Sequence, residues 1–277
     1  MKINRIDIVT LSLLGVLGIY LFAQSPSPLV ENEHAKGEQI SVNTLFEMVA
    51  EENNKARRLW TGKIVVAGQK MGLKFGEEWH KNGVDEGPLP ALYLREVARN
   101  LEKSPVPLSL FLGSDFPISA ANKFKGFQAE AFQKMRDTNG EAQFFYSADV
   151  KRYTAMFTDN VVVDGCATCH NEHPDSPKTD WKLNDIMGAT TWAYPEKFVT
   201  RDEAVHILSE LRTAIANVYI AYLEKVKTFQ EPPEIGSKWP ADGYSVPKTS
   251  IFLKHFENLA SADSLAFLLK RDELKKK

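Results

Sequence analysis

The chain has 277 residues, 43% of them hydrophobic and 25% charged, with a formal net charge of -2 and an isoelectric point near 6.3. A chain of this size and apolar content buries a full core, so disorder is excluded as its default state. Lys and Arg are spread along it, which excludes a basic footprint for nucleic acid; the densest cluster, Lys275-Lys276-Lys277, reads as a solvated tail.

At the N-terminus, Lys2 and Arg5 precede an apolar run over residues 8–23, broken only by small or hydroxyl residues. At 1.5 Å per residue the run spans about 24 Å, slightly less than a hydrocarbon core of about 30 Å, and Ile3 and Ile6 extend it. A membrane anchor and a signal peptide share this pattern. Leu21-Phe22-Ala23 matches a small-x-small cleavage site poorly, which favours an uncleaved anchor over residues 1–23. Basic residues before the run and Glu31, Glu33 and Glu38 after it place the bulk of the chain outside the cytoplasmic membrane.

Gln24-Ser25-Pro26-Ser27-Pro28 is a breaker cluster that opens a linker over 24–40. From Val42 the apolar positions Leu45, Phe46, Val49 and Ala50 recur at helical spacing, with Thr44 and Glu47 as a capping box, so one or more helices are expected over 41–79. A second helix is expected over 89–101, its core face Leu92, Val97 and Leu101. Strands are expected at 108–112, 142–146, 152–157 and 186–194, with a helix over 123–136 that places Phe124, Phe127, Ala131, Phe132 and Met135 on one side. Helices followed by antiparallel strands argue for an α+β domain over 41–195.

Residues 196–277 read as a helical extension. Thr200 and Glu203 form a capping-box pattern, and Ala204, Leu208, Leu211, Ile215, Val218, Tyr222 and Val226 make the stripe of a long amphipathic helix. That stripe suits packing against the sheet or a neighbouring helix, or pairing between protomers. Trp239 and Tyr244 are anchors in a turn-rich stretch, and a last helix over 249–271 caps the chain.

The chain's two cysteines both lie in Cys166-Ala167-Thr168-Cys169-His170. C-x-x-C-H is the attachment signature of c-type haem, in which two thiols bond the porphyrin and the imidazole meets the iron. A redox disulfide would leave His170 without a duty and predicts a βαβ context that the pattern lacks. A zinc site would recruit Cys166, Cys169, His170 and His173, yet adjacent Cys169 and His170 do not readily converge on one ion.

The sequence from Cys166 continues His170-Asn171-Glu172-His173-Pro174-Asp175-Ser176-Pro177-Lys178-Thr179-Asp180-Trp181-Lys182 and on to Ala189. This run resembles the c-haem PAS-like domain family of cyanobacteria and of the extracytoplasmic parts of proteobacterial sensor proteins. Phe116-Pro117-Ile118-Ser119-Ala120-Ala121-Asn122 is similar to a family turn, and Leu89-Pro90-Ala91-Leu92 to its preceding helix. The resemblance covers 41–194 and implies a PAS-like antiparallel sheet flanked by N-terminal helices, with one covalent haem c beside the sheet. It further implies thioethers at Cys166 and Cys169, His170 as the proximal iron ligand, Asp180 and Trp181 fixing the loop over the cofactor, and His173 in a supporting role. Family biology places haem attachment outside the cytoplasmic membrane, in agreement with a single-pass inner-membrane protein whose haem domain is periplasmic.

Some family members supply a distal cysteine from the helix before the strands. This chain has no third cysteine, and the matching stretch reads Tyr93-Leu94-Arg95. Met71, His80 and Met187 are the distal candidates, beside an open position holding water. An exchangeable site suits a sensor of redox state or of a diatomic gas acting on a signalling partner; two strong ligands suit a monohaem electron carrier with a redox partner. An enzyme is not expected, since no second haem or proton-relay cluster is evident, and a homodimer is the expected assembly.

Overall fold

The computed structural model describes residues 39–239 and 246–269. The anchor expected over 1–23, the linker up to residue 38 and Tyr244 lie outside those residues. No helix among the described residues is long and apolar enough to cross a membrane.

Strand β1 (Gln39–Ser41) pairs antiparallel with β8 (Phe198–Thr200) and buries Ile40, so the domain begins inside the expected linker. Helix α1 (Val42–Leu59) follows directly. Its cap is Ser41, whose Oγ accepts from the Thr44 backbone N–H at 3.2 Å, and not the Thr44–Glu47 box. The reason is the extended backbone that Ser41 inherits from β1, with ψ 149°, which is the conformation an N-cap requires.

From α1 the chain passes through a π-helical turn, Trp60–Val66, into a short helix α2 (Ala67–Lys70). Gly72, at φ +88°, then turns the chain away, so the helical segment expected to reach residue 79 ends at Lys70. Two short parallel strands follow, β2 (Lys74–Gly76) and β3 (Glu86–Pro88). Helix α3 (Pro90–Glu102) opens with proline in its first turn, where the missing N–H is harmless. Its core face is Tyr93, Leu94, Val97 and Leu101, with Leu92 only half-buried: the face is rotated from the expected one because Tyr93 stacks on Trp60, centroids 4.5 Å apart.

The central sheet is antiparallel, in the order β4 (Ser109–Gly113), β7 (Ile186–Tyr194), β6 (Arg152–Asn160), β5 (Gln143–Ser147). Strand alternation sorts its side chains onto two faces. Leu110, Ala155, Trp192 and Tyr194 join the large core made with α1 and α3, while Met156, Ala189, Phe111 and Phe145 join a smaller core under helix α4 (Phe127–Asp137). Helix α4 starts later than expected because Gly126, at φ +52°, breaks the helical path; Phe124 still packs on Phe132, whereas Phe127 is exposed. Helix and antiparallel sheet together make the α+β class.

Helix α6 (Arg201–Val226) is capped by Thr200, whose Oγ1 accepts from Glu203 N–H at 3.1 Å. All seven residues of its predicted stripe are buried, against α1, α3 and helix α7 (Thr249–Leu269) of the same chain, which leaves that stripe unavailable for pairing protomers. Helix α7 supplies Phe252, which stacks on Tyr219 at 4.0 Å, and Trp239 donates its indole N–H to Lys63 O. The extension over 196–277 is therefore, in its described residues, part of one body with the sheet.

One polar junction fastens that body. Glu52 on α1 is 1% exposed and accepts from Arg212 Nε at 2.9 Å, from Arg212 Nη2 at 2.5 Å and from the Ser264 hydroxyl. Helix α5, which carries the haem motif, is described with the site below. Arg212→Leu strips a buried carboxylate of its counter-ion. The expected loss is about 3 kcal/mol of unfolding free energy, at the low end for such deletions because Arg212 is partly exposed. Urea denaturation measures it, and a loss below about 1 kcal/mol would show that the junction is not holding the C-terminal helices.

Candidate haem site

Strand β6 ends at a register shift between Asp159 and Asn160, and the chain then leaves the sheet. Two backbone hydrogen bonds close the base of the excursion, Val161 N–H to Asp185 O at 3.0 Å and Asn184 N–H to Val161 O at 2.9 Å. Between these points stand helix α5 (Asp164–Glu172) and a loop over residues 173–185 that returns to β7. Asp164 in the first turn of α5 is favourably placed against the helix dipole.

The motif lies on α5. Cys166 and Cys169, three residues apart on a helix, share one face, and both are free thiols, Cys166 half-buried and Cys169 exposed. His170 is half-buried and its Nδ1 is sealed from water with no hydrogen-bond partner. Burial lowers the pKa of its imidazole below the ordinary histidine value, outweighing the nearby Asp159 and Glu77 carboxylates, which favour the charged form. Burial likewise raises the Cys169 thiol, with Glu77, Cys166 and Glu172 adding to the shift. Asp159 is itself held by Arg57 of α1 at 2.6 Å.

The loop is pinned by an amide that matches a backbone. Asn171 Nδ2–H donates to Trp181 O at 3.0 Å, and Trp181 N–H donates to Asn171 Oδ1 at 2.8 Å. Trp181 is 6% exposed, with the Lys178 ammonium 4.6 Å above its ring and Phe116 at 6.4 Å edge-on. Trp181 is thus the buried, hydrogen-bonded residue of the loop. Asp180 is exposed and paired with Lys178, whose hydrogen bond lowers its pKa. Asn171 takes the second role, legible only in that an asparagine side chain offers both a donor and an acceptor.

The first residue of the loop meets the N-terminal half of the chain at Glu77, whose Oε1 lies 3.7 Å from His173 Nε2. Glu77 opens a segment over 77–85 between β2 and β3, and no sequence pattern singled it out. His80 is exposed in the same turn, which the Lys81 N–H to Glu78 O bond closes at 2.8 Å. The far end of the segment is bonded to the end of α6: Lys225 Nζ donates to Lys81 O at 2.6 Å, and Gln230 N–H donates to Asp85 Oδ2 at 2.9 Å. Of the other distal candidates, Met71 is 54% exposed at the end of α2, and Met187 is half-buried at the start of β7, its carbonyl accepting from the Ser114 hydroxyl. Tyr93, in the stretch matched to the distal cysteine of relatives, is fully buried against Trp60.

These residues fit a haem. Two thiols share a helix face, a neutral imidazole carries a sealed nitrogen without a partner, and α5 buries none of its own residues against protein. Among the described residues no three His, Cys, Asp or Glu side chains cluster as a site for a bare metal ion. Fold and site together define an α+β haem-domain protein. The model of the Tll0287-like family matches residues 30–195, and the chain belongs to that family, the c-haem PAS-like one. No curated protein and no solved structure matches the chain.

The lowered His170 value gives the haem-free chain a pH dependence with a definite sign. The unfolded chain takes up the histidine proton first as pH falls, so this stabilisation is complete above about pH 6.5 and is lost as pH falls toward the lowered folded-state value. His170→Gln is expected to flatten the stability curve in that window. An unchanged acid slope in urea titrations would show that His170 is not the group responsible.

Proposed function

We propose that the protein is a membrane-tethered, extracytoplasmic c-type haem protein that reports the redox state of its haem, or the binding of a diatomic gas to it, to a partner protein. Cys166 and Cys169 hold the haem covalently, His170 is its proximal ligand and Trp181 secures the loop beside it. When bound, haem supplies an iron with a reversible one-electron couple and an axial position for a further ligand. His170, neutral by burial, presents the form of imidazole that ligates a metal. The anchor over 1–23 and the charge asymmetry around it support a single pass through a bacterial inner membrane with the domain in the periplasm. A second copy of the chain is the expected assembly partner, through a surface other than the α6 stripe.

The observation that supports the sensor reading is the double contact of the 77–85 segment, with the haem loop at Glu77 and with the end of α6 and the turn after it through Lys81 and Asp85. These contacts offer a displacement at the haem a route to a long helix. His80, three residues from Glu77, is the distal candidate this geometry favours. A monohaem electron carrier is the second reading, favoured by the exposed Cys169 and by an α5 that lies at the surface.

Two measurements separate these. In a host that matures c-type haem, Cys166→Ser with Cys169→Ser is expected to abolish haem staining on a denaturing gel; persistent stain would remove the basis of the proposal. The dithionite-reduced wild type is expected to change its Soret band under CO, and His80→Ala to bind CO faster, with Met71→Ala and Met187→Ala unchanged. A low-spin haem indifferent to CO would sink the gas-sensing reading in favour of the carrier.

A further inference from the structure

The central sheet has two ends, and they carry different things. Strand β6 runs from Arg152 at one end to Asn160 at the other, where the chain leaves for α5 and its Cys166–His170 motif. At a rise of about 3.3 Å per residue the two ends stand roughly 26 Å apart. The end away from the motif is where the described chain begins. Gln39 pairs with Thr200 and Ser41 with Phe198, and the Val42 N–H donates to Lys197 O at 2.9 Å. Tyr194, the last residue of β7, donates its hydroxyl to Glu203 in the first turn of α6, which fixes β8 at the same end. Residues 24–38, which join β1 to the apolar run over 8–23, therefore enter here. Fully extended they reach at most about 50 Å.

The same end carries apolar side chains that the described protein leaves uncovered. Tyr146, Tyr153 and Tyr194 are paired in one row across β5, β6 and β7. Exposure rises along that row, from buried Tyr194 to Tyr146, which is 50% exposed on the edge strand with its ring 5.1 Å from that of Tyr153. Val150, in the turn after β5, is 59% exposed, and Phe198 on β8 is 48% exposed. Lys197 holds its ammonium 5.5 Å from the Phe198 ring, and Lys151 and Arg152 follow Val150. Asp149 and Glu196 offset much of that charge, so the face is apolar with mixed charge and is not a basic patch. Aromatic rings edged by lysine stems suit the headgroup boundary of a bilayer, where the ring meets apolar material and the ammonium stays in water.

We propose that this end of the sheet rests on the lipid surface, with Tyr146, Val150 and Phe198 set into the headgroup boundary, and that α5 is thereby held on the side of the domain away from the membrane. The inference rests on the membrane-tethered reading above. A tether over residues 24–38 keeps the domain near the bilayer without orienting it. The three apolar side chains supply the orientation and turn the haem motif toward a soluble partner. Because the charge of the face is balanced, the contact does not depend on anionic lipid.

The test uses the full-length, haem-loaded protein in phosphatidylcholine nanodiscs, read by amide hydrogen exchange. The wild type is compared with a variant carrying Tyr146→Ser, Val150→Ser and Phe198→Ser, all at exposed positions. Wild-type amides over residues 147–152 and 196–198 are expected to exchange about tenfold more slowly than those of the variant, the scale set by withdrawing three half-exposed apolar side chains from water. Exchange over 164–185 and in the core should be alike in both, and adding phosphatidylglycerol should leave the ratio unchanged. Tyr146→Trp with Phe198→Trp, which keeps interfacial rings, should match the wild type. Equal exchange in wild type and triple variant over the two segments would overturn the proposal, as would protection found over 164–185 instead. Protection that grows with the number of copies per disc would assign the face to a second copy of the chain and overturn it too. A full-length chain that stays in solution without entering nanodiscs would overturn the membrane reading itself.

Discussion

The architecture around the site depends on how a helix that packs almost nothing is kept in place. Helix α5 has nine residues, none of them buried. A helix of that length is marginal on its own, and most helices in proteins draw their stability from an apolar face set against a core. Here the ends carry that duty. At the base, Val161, Asn184 and Asp185 exchange backbone hydrogen bonds; at the tip, Asn171 clasps the backbone of Trp181, and Trp181 is sunk against Phe116. The motif face, with its two thiols, is thus freed from any role in packing. A side chain that is not needed for the core is available for a prosthetic group.

The electrostatics follow from the same placement. Asp159 and Glu77 both favour a protonated His170, yet burial prevails and the ring is kept neutral. Arg57 helps by engaging Asp159, drawing part of its field away into a largely buried ion pair. Without that pairing, a carboxylate at the end of β6 would press harder for an imidazolium, which has no free nitrogen for a metal. Structure and charge therefore point the same way, toward an imidazole in its ligating form.

The legible parts of the fold are those decided locally. Strand β7 runs over the predicted 186–194 because its β-formers lie between turn residues, and α6 starts where Thr200 and Glu203 said it would. What misled was local sequence overruled by neighbours. Ser41 displaced the Thr44 cap because β1 delivers it in an extended conformation, and Leu92 yielded the core face to Tyr93 because Trp60, raised on a π-helical turn, offers a ring to stack on. The site divides along the same line. Cys166, Cys169, His170 and Trp181, the residues proposed for the haem site, stand within one short stretch whose order suggests them. Asn171 acts on a residue ten positions away, and Glu77 lies almost a hundred residues before His173, the loop residue it meets. No periodicity marks either one, because each is defined by a contact that exists only after the chain has folded.

The family match ends at residue 195, but the fold does not. Glu52, in the middle of α1, is buried and satisfied by Arg212 of α6 and Ser264 of α7, and the ring of Tyr219 is stacked on Phe252 across the same helices. A buried carboxylate left without partners is costly, so α1 is compatible with its own burial only when the C-terminal helices are present. The segment after 195 is for that reason a structural requirement of the haem domain and not an appendage to it. The same helix that neutralises Glu52 near its middle meets the 77–85 segment at its far end, where Lys225 Nζ donates to Lys81 O and ties that segment to the core.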